Sequence, residues 1–412
     1  MRYLTFIIPI LLLSCSLEYE PVIPQFSDAE SLLDDVPVLD TSRGKMMNGV
    51  YHVRVGKGEF GDSVVLHFTR GGPSIFCEKN GAFMIMESGI RGDTVALEGY
   101  WRYAYGRETG RVRFVVPPEE GGASIAQGLQ PEVLVLRGRT GGVTGLLERP
   151  VELAFGRPLR QRAESFLVIG HRGGARNSDL HPVSENSLPM LRFAERIGCN
   201  AVEIDIRLTA DRVPVLFHDE TISNRLVQGD FLVGPISAYT WSQLRRYARL
   251  VNGEQIPLFD DALKTIVEET GIGFVWLDVK SPDVIDGILP IVDKYRKRAR
   301  QLGRNVDFLI GLPSDDIYDA LDRIPAPDRP PSLCELDPSR ASAINASVWG
   351  PRWTLGIQST EVARMHAEGR RVVSWTIDTQ DILAQFLREG DFDGIVTNYP
   401  TVVVAMQELK GK

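Results

Sequence analysis

From residue 166 to the C-terminus the chain alternates short apolar runs with helical segments. That rhythm restricts this half to a parallel α/β architecture. Strand patterns fall at residues 166–170, 201–208, 213–217, 273–279, 306–310, 332–336, 371–377 and 394–397. Helical patterns fall at 187–197, 259–269, 284–302, from 314 onward and at 380–388. About eight strands in roughly 245 residues suit a (β/α)8 barrel, although a doubly wound sheet shares the alternation. The placement of polar residues decides between them.

In (β/α)8 barrels, functional groups gather where the strands end. The first strand here ends in His171-Arg172-Gly173-Gly174 and the next in Glu203-Ile204-Asp205, whose carboxylates share one face by period-two alternation. The run at 213–217 leads into His218-Asp219, and 273–279 ends in Asp278-Val279-Lys280. Trp375 falls within the strand pattern at 371–377, and Thr397-Asn398 closes the last one. Inward-facing charges are costly unless paired or metal-bound. Glu203, Asp205, Asp278, Lys280 and Arg172 on one rim therefore imply a site. Three carboxylates make an all-oxygen set suited to Mg²⁺ or Ca²⁺. Arg172 and Lys280 add affinity for an anion, and His171 and His218 can act as a general acid–base pair. Phosphodiester hydrolysis needs these parts.

The same residues carry a family resemblance. His171-Arg172-Gly173, Glu185-Asn186-Ser187, the run from Ala201 through Glu203 and Asp205 to Ile206, and the run from Val213 to His218-Asp219 resemble the glycerophosphodiester phosphodiesterase family. The closing segments Val373-Ser374-Trp375-Thr376-Ile377 and Asp393-Gly394-Ile395-Val396-Thr397-Asn398-Tyr399-Pro400 are also similar, so the resemblance spans about 165–405. It implies a TIM barrel of the phospholipase C-like phosphodiesterase type, with a small insertion at about 219–255. It also implies hydrolysis of glycerophosphodiesters to glycerol 3-phosphate and an alcohol, with one divalent cation, Mg²⁺ or Ca²⁺. By the same resemblance His171 and His218 are the catalytic pair, and Glu203 and Asp205, with Asp278, hold the metal. Arg172 and Lys280 contact phosphate, Trp375 lies near the glycerol end, and Glu185 and Asn186 support the site from behind. This chain departs from the family at Asp278, where Glu is usual, at Ser184 and Ser187 around the Glu-Asn pair, and at Asn398, where Asp is common. Alternatives are a phospholipase C- or D-like activity on intact phospholipid, or a binding lipoprotein with an inactive barrel. His181, in the loop before Glu185, reads as a surface residue.

The N-terminal half has another texture. Residues 1–14 begin with a basic residue, continue through about ten apolar residues and are too short to span a bilayer, so they read as a secretory leader. Leu12-Leu13-Ser14-Cys15 resembles a bacterial lipobox, which implies lipidation of Cys15 and export across the inner membrane, with the chain anchored in the periplasm or at the cell surface. Residues 16–42 hold seven Asp or Glu and no Lys or Arg, so 15–44 is expected to be an acidic tether. Twenty of the 39 glycines fall in residues 45–160, between short alternating runs. That spacing predicts an all-β sandwich or small barrel at 45–160, with a ligand of its own unknown, ahead of the α/β domain at 161–412. His52 and His67 there read as structural. Cys77, Cys199 and Cys334 are odd in number and lack zinc-ligand spacing, which predicts buried thiols. A net charge of −8 with no basic cluster argues against nucleic acid as a partner.

Overall fold

The computed structural model describes residues 21–160, 166–229 and 231–410; the leader and Cys15 lie outside them. Eight antiparallel strands come first: β1 (Gly49–Val55), β2 (Ser63–Thr69), β3 (Gly72–Cys77), β4 (Ala82–Arg91), β5 (Thr94–Tyr103), β6 (Thr109–Val116), β7 (Val135–Thr140) and β8 (Arg149–Arg157). Each pairs with the next, and β8 pairs back onto β1, so the sheet closes as a barrel. Closure removes the exposed edges that an open sheet would present. At Gly99 a side chain is excluded, because a Cβ would lie 2.0 Å from the carbonyl oxygen of Ile85 on β4.

Strand β4 shows why these strands are more apolar than a one-sided sheet requires. Ala82, Met84 and Met86 fill the barrel interior. Phe83 and Ile85, on the opposite face, join a second core with Leu191, Ala194 and Val404 of the following domain. Both faces are buried, so the alternation of apolar and polar residues is lost here.

Residues 21–44 correct the expectation of a loose tether. Ser31 and the Leu32 amide donate to Glu98 at 2.7 and 2.9 Å, and the Ile90 amide donates to Pro37 at 2.9 Å. Glu30 pairs with Arg111 at 2.9 Å, and Phe26 lies under the guanidinium groups of Arg111 and Arg113. Leu39 is buried, and Asp40 caps the short helix Thr41–Gly44. The acidity that suggested repulsion is partly consumed by arginines of the first barrel.

The second barrel is built from β9 (Leu167–Gly170) and β10 (Ala201–Leu208), followed by β11 (Pro214–Leu216) and the pair β12 (Thr221–Ile222) and β13 (Gly234–Pro235). Then come β14 (Phe274–Val279), β15 (Asp307–Leu312), β16 (Ser332–Cys334), β17 (Val348–Trp349), β18 (Arg371–Ser374) and β19 (Gly394–Thr397). Eight of these are parallel, in the order β9, β10, β14 to β19, with β19 returning to β9. Two differences from the sequence reading follow. The run at 213–217 is not a barrel stave, because β11 folds back antiparallel on β10. The missing stave is β17, whose two residues are too few to show a period. Between β11 and β14 lie the β12–β13 pair, the helix Trp241–Tyr247 and a small core around Phe217 and Leu244, in the stretch read from the sequence as an insertion.

His181 also departs from expectation. It is 8% exposed and lies between Phe83 of the first barrel and Phe193, with ring centroids 6.0 and 5.5 Å away. The loop that carries it is a joint between the barrels. Cys77, Cys199 and Cys334 are buried and free, as their spacing predicted.

His67 on β2 stands edge-on to Phe76, with Nε2 buried and unpartnered. Burial pushes its pKa down to about 4. An unfolded histidine titrates near 6.5, so between about pH 6.5 and 4 the unfolded chain binds the extra proton and stability rises with pH. Wild type should therefore lose about 1.4 kcal/mol more per pH unit across this window than His67→Gln does. Denaturant unfolding at pH 5 and 7 reads the slopes, and equal slopes would refute the assignment.

Candidate active site

Inward-facing residues follow one parity on each stave of the second barrel. Leu167 and Ile169 on β9, Ala201 on β10, Phe274 and Trp276 on β14, Leu333 on β16, Val373 on β18 and Val396 on β19 form its central core. Two further residues along the same parity bring polar groups to the rim: His171, then Glu203 and Asp205, then Asp278 and Lys280, then Trp375 and Asn398. Strand periodicity thus converts an apolar floor into a polar mouth.

Glu203, Asp205 and Asp278 each offer an oxygen within 4.8 Å of the others. Glu203 and Asp205 are buried, and Oε1 of Glu203 is buried without a partner. Lys280 reaches Asp205 and Asp278 together. Burial, reinforced by Asp205 and Asp278, drives the Glu203 carboxyl well above its usual range. Burial acts upward on Asp205 too, but Lys280 together with His218 and His171 outweighs it and holds that carboxyl below its ordinary value. A rim holding three acids and one lysine, with an orphaned carboxylate oxygen, fits a hard divalent cation.

Arg172 occupies the turn after β9 in a left-handed conformation, with φ 55°. That conformation is uncommon for a residue with a side chain and persists only where contacts fix it. Its amide donates to Glu203 at 2.7 Å, and its guanidinium donates to Glu185 at 2.8 Å and to Nε2 of His218 at 2.9 Å. Glu185 is buried and also receives Arg225 from the insertion. Asn186, again left-handed at φ 54°, donates to Asp205 at 2.6 Å and accepts from the Asp205 amide. The Glu185-Asn186 pair therefore fixes an arginine and a carboxylate.

The two histidines are held from behind in different ways. Nδ1 of His218 lies 2.7 Å from Asp219, which Arg225 grips through two nitrogens. Nδ1 of His171 lies 3.0 Å from the Asn398 side-chain oxygen. The Asn398 side-chain nitrogen donates to Asp378 at 2.7 Å, so its oxygen must face His171, and the hydrogen sits on Nδ1. Burial, with the nearby Arg172 charge, lowers the His171 pKa to about 3 and leaves a neutral ring with Nε2 free.

Both histidines, Lys280 and Trp375 line a cavity of about 340 Å³. Larger spaces of about 550 Å³ flank the first barrel, away from these groups. Sequence reasoning missed Glu335 in the cavity wall. Its Oε1 is buried and unpartnered, and burial and Asp278 raise its pKa well above the usual range. It continues the inward parity of Leu333 on β16, which was the available signal. Arg352, stacked 4.7 Å over Trp375, and the Asp219–Arg225 pair were also missed.

Residues 171–321 match the model of the glycerophosphoryl diester phosphodiesterase family. That match, 151 of the 412 residues, lies within the second barrel. Among curated relatives, the probable glycerophosphodiester phosphodiesterase 2 of Mycobacterium tuberculosis is 26% identical over 231 residues, covering 52% of this chain and 81% of the relative. The glycerophosphodiester phosphodiesterase of Caldanaerobacter subterraneus subsp. tengcongensis is 23% identical over 261 residues, or 60% of this chain and 99% of that protein. The crystal structure of a putative glycerophosphoryl diester phosphodiesterase from Silicibacter pomeroyi is 21% identical, with a TM-score of 0.48, over 60% of this chain and 96% of that one. The family match holds His171, Arg172, Glu203, Asp205, His218, Asp278 and Lys280, whereas the first barrel, Glu335, Trp375 and Asn398 lie outside it.

If the three carboxylates hold a cation, Mg²⁺ or Ca²⁺ at a hundredfold excess over its Kd should stabilise the fold by about 2.7 kcal/mol. Asp205→Asn and Glu203→Gln should each remove most of that gain. Calorimetric melting with and without metal reads it, and an undiminished gain in both variants excludes this cluster as the holder.

Proposed function

We propose that this chain is an exported, lipid-anchored glycerophosphodiester phosphodiesterase that releases glycerol 3-phosphate and an alcohol by histidine acid–base catalysis. The observation that carries the reading is the convergence of His171, His218, Glu203, Asp278 and Lys280 on one cavity, with Asp205 bound to Lys280 and Arg172 bound to Glu203 and His218 behind them, within the stretch that matches this family. Export and anchoring rest on Leu12-Leu13-Ser14-Cys15 in the sequence.

Arg172 and Lys280 would receive the phosphate, and their fixed positive charges would offset the charge that builds on its oxygens. Glu203, Asp205 and Asp278 would hold one Mg²⁺ or Ca²⁺, which when bound supplies further charge neutralisation for the phosphate. His171 is neutral, with its Nε2 lone pair toward the cavity, and so serves as the base that takes a proton from the attacking water. His218, whose Nδ1 is held by Asp219, would serve as the acid for the departing alkoxide once Nε2, which here accepts from Arg172, takes up a proton. The P–O bond to the nucleophile forms as the bond to the leaving alcohol breaks. Trp375, with its indole donating to Gly350 at 2.7 Å, is fixed as an apolar wall for the organic part of the substrate.

Removing either histidine should lower kcat on glycerophosphocholine by about 10²–10⁴-fold without unfolding the chain. An activated p-nitrophenyl diester separates the roles, because its leaving group departs without protonation. His218→Ala should lose far less on that ester than on glycerophosphocholine, while His171→Ala should lose alike on both. The reverse pattern would exchange the assignments, and full activity of either variant on glycerophosphocholine would remove the mechanism. Anchoring is checked by labelling cells with a fatty acid: the label should be lost in Cys15→Ala, and a labelled variant would refute lipidation at that residue.

A further inference from the structure

The family match begins at residue 171 and gives the first barrel no role. Yet the first barrel touches two segments of the second that lead to its rim groups. On one side, Arg102 of β5, itself 4% exposed, donates to the carbonyl of Leu180, in the loop that leads to Glu185. On the other, Tyr105, in the turn between β5 and β6, donates its hydroxyl to the backbone carbonyl of Asp378 at 3.0 Å. Its ring packs on Tyr399 with centroids 4.4 Å apart.

Asp378 holds the residue that orients His171. Its carboxylate accepts from the Asn398 amide at 2.9 Å and from the Asn398 side-chain nitrogen at 2.7 Å. Asn398 then presents its oxygen to Nδ1 of His171 at 3.0 Å. Tyr105 therefore clamps the backbone of the residue that sets the Asn398 side chain, and it packs on the residue that follows Asn398. Asp378 and Asn398 both sit just past their staves, Asp378 one residue beyond the last backbone bond between them, from the Ile377 amide to Val396. Displacements of about 1 Å at such a position can cost 10²-fold in rate.

We infer that Tyr105 is a positioning residue through which the first barrel holds the Asp378–Asn398–His171 chain in register. The first barrel is thus a working part of the catalytic unit. The inference rests on the proposed role of His171, but its structural content does not depend on turnover.

The full chain carrying Tyr105→Phe or Tyr105→Ala tests it. Phenylalanine keeps the ring on Tyr399 and loses only the bond to Asp378; alanine loses both. With glycerophosphocholine, kcat should fall several-fold in Tyr105→Phe and at least tenfold in Tyr105→Ala, with KM within twofold of wild type in both. Nitrogen-15 spectra of histidine-labelled protein at one pH, without substrate, should show the His171 resonances leaving the Nδ1–H tautomer pattern in either variant. If alanine fails to fold, the phenylalanine variant decides. Unchanged His171 resonances together with unchanged kcat, whatever the melting temperature, overturn the inference. If wild type does not turn over glycerophosphodiesters, the functional reading fails, and the His171 spectrum alone decides for or against the clamp.

Discussion

Three carboxylates gathered within 4.8 Å at the mouth of a parallel barrel are the constraint that organises the rest of the rim. Their mutual repulsion in a buried setting would cost several kcal/mol if left unanswered. The answer is distributed. Lys280 bridges two of the acids, the Arg172 amide reaches the third, and the Asn186 side chain takes the remaining edge of Asp205. Both of the residues that approach from the β9 side do so in left-handed backbone conformations, held in turn by Glu185 and its two arginines. Geometry that would otherwise relax is kept because relaxing it would strand a charge.

The two barrels share a wall. Val50, Val65, Phe76, Phe83, Ile85 and Tyr100 leave the outer face of the first barrel to join the core that packs the helices of the second. Truncating a ring such as Phe76 would cost roughly 3–5 kcal/mol and would loosen both sides at once. The apolar seam explains how contacts as slight as one tyrosine hydroxyl can have a fixed address: the surfaces that carry them are already locked together.

Much of this was legible in the chain because barrel staves obey period two. Glu203 and Asp205 were placed on one face by alternation alone, and His171 and Asp278 followed from their positions at the ends of apolar runs. Glu335 obeys the same rule from Leu333 and was available to it, but its run is short and ends in an ordinary-looking Glu-Leu-Asp. Val348–Trp349 is too brief to carry any period. Long-range partners were out of reach in kind: nothing local to Tyr105 announces Asp378, 273 residues away, and nothing about Glu30 announces Arg111. Composition misled at 21–44 for the same reason, since an acidic segment reads as solvated until its arginines are seen. His181 looked like a loop residue because the aromatic rings that enclose it come from two different domains.

The strap formed by residues 21–40 has a consequence for how such a molecule would stand on a lipid surface. The strap packs on the folded body from Ile23 onward, so eight peptide steps of sequence separate it from the Cys15 proposed to carry a lipid. Fully extended, those steps reach at most about 29 Å. Were the proposed anchor present, the docked end of the strap would stay within that reach of the bilayer, and the substrates met would be those near its surface.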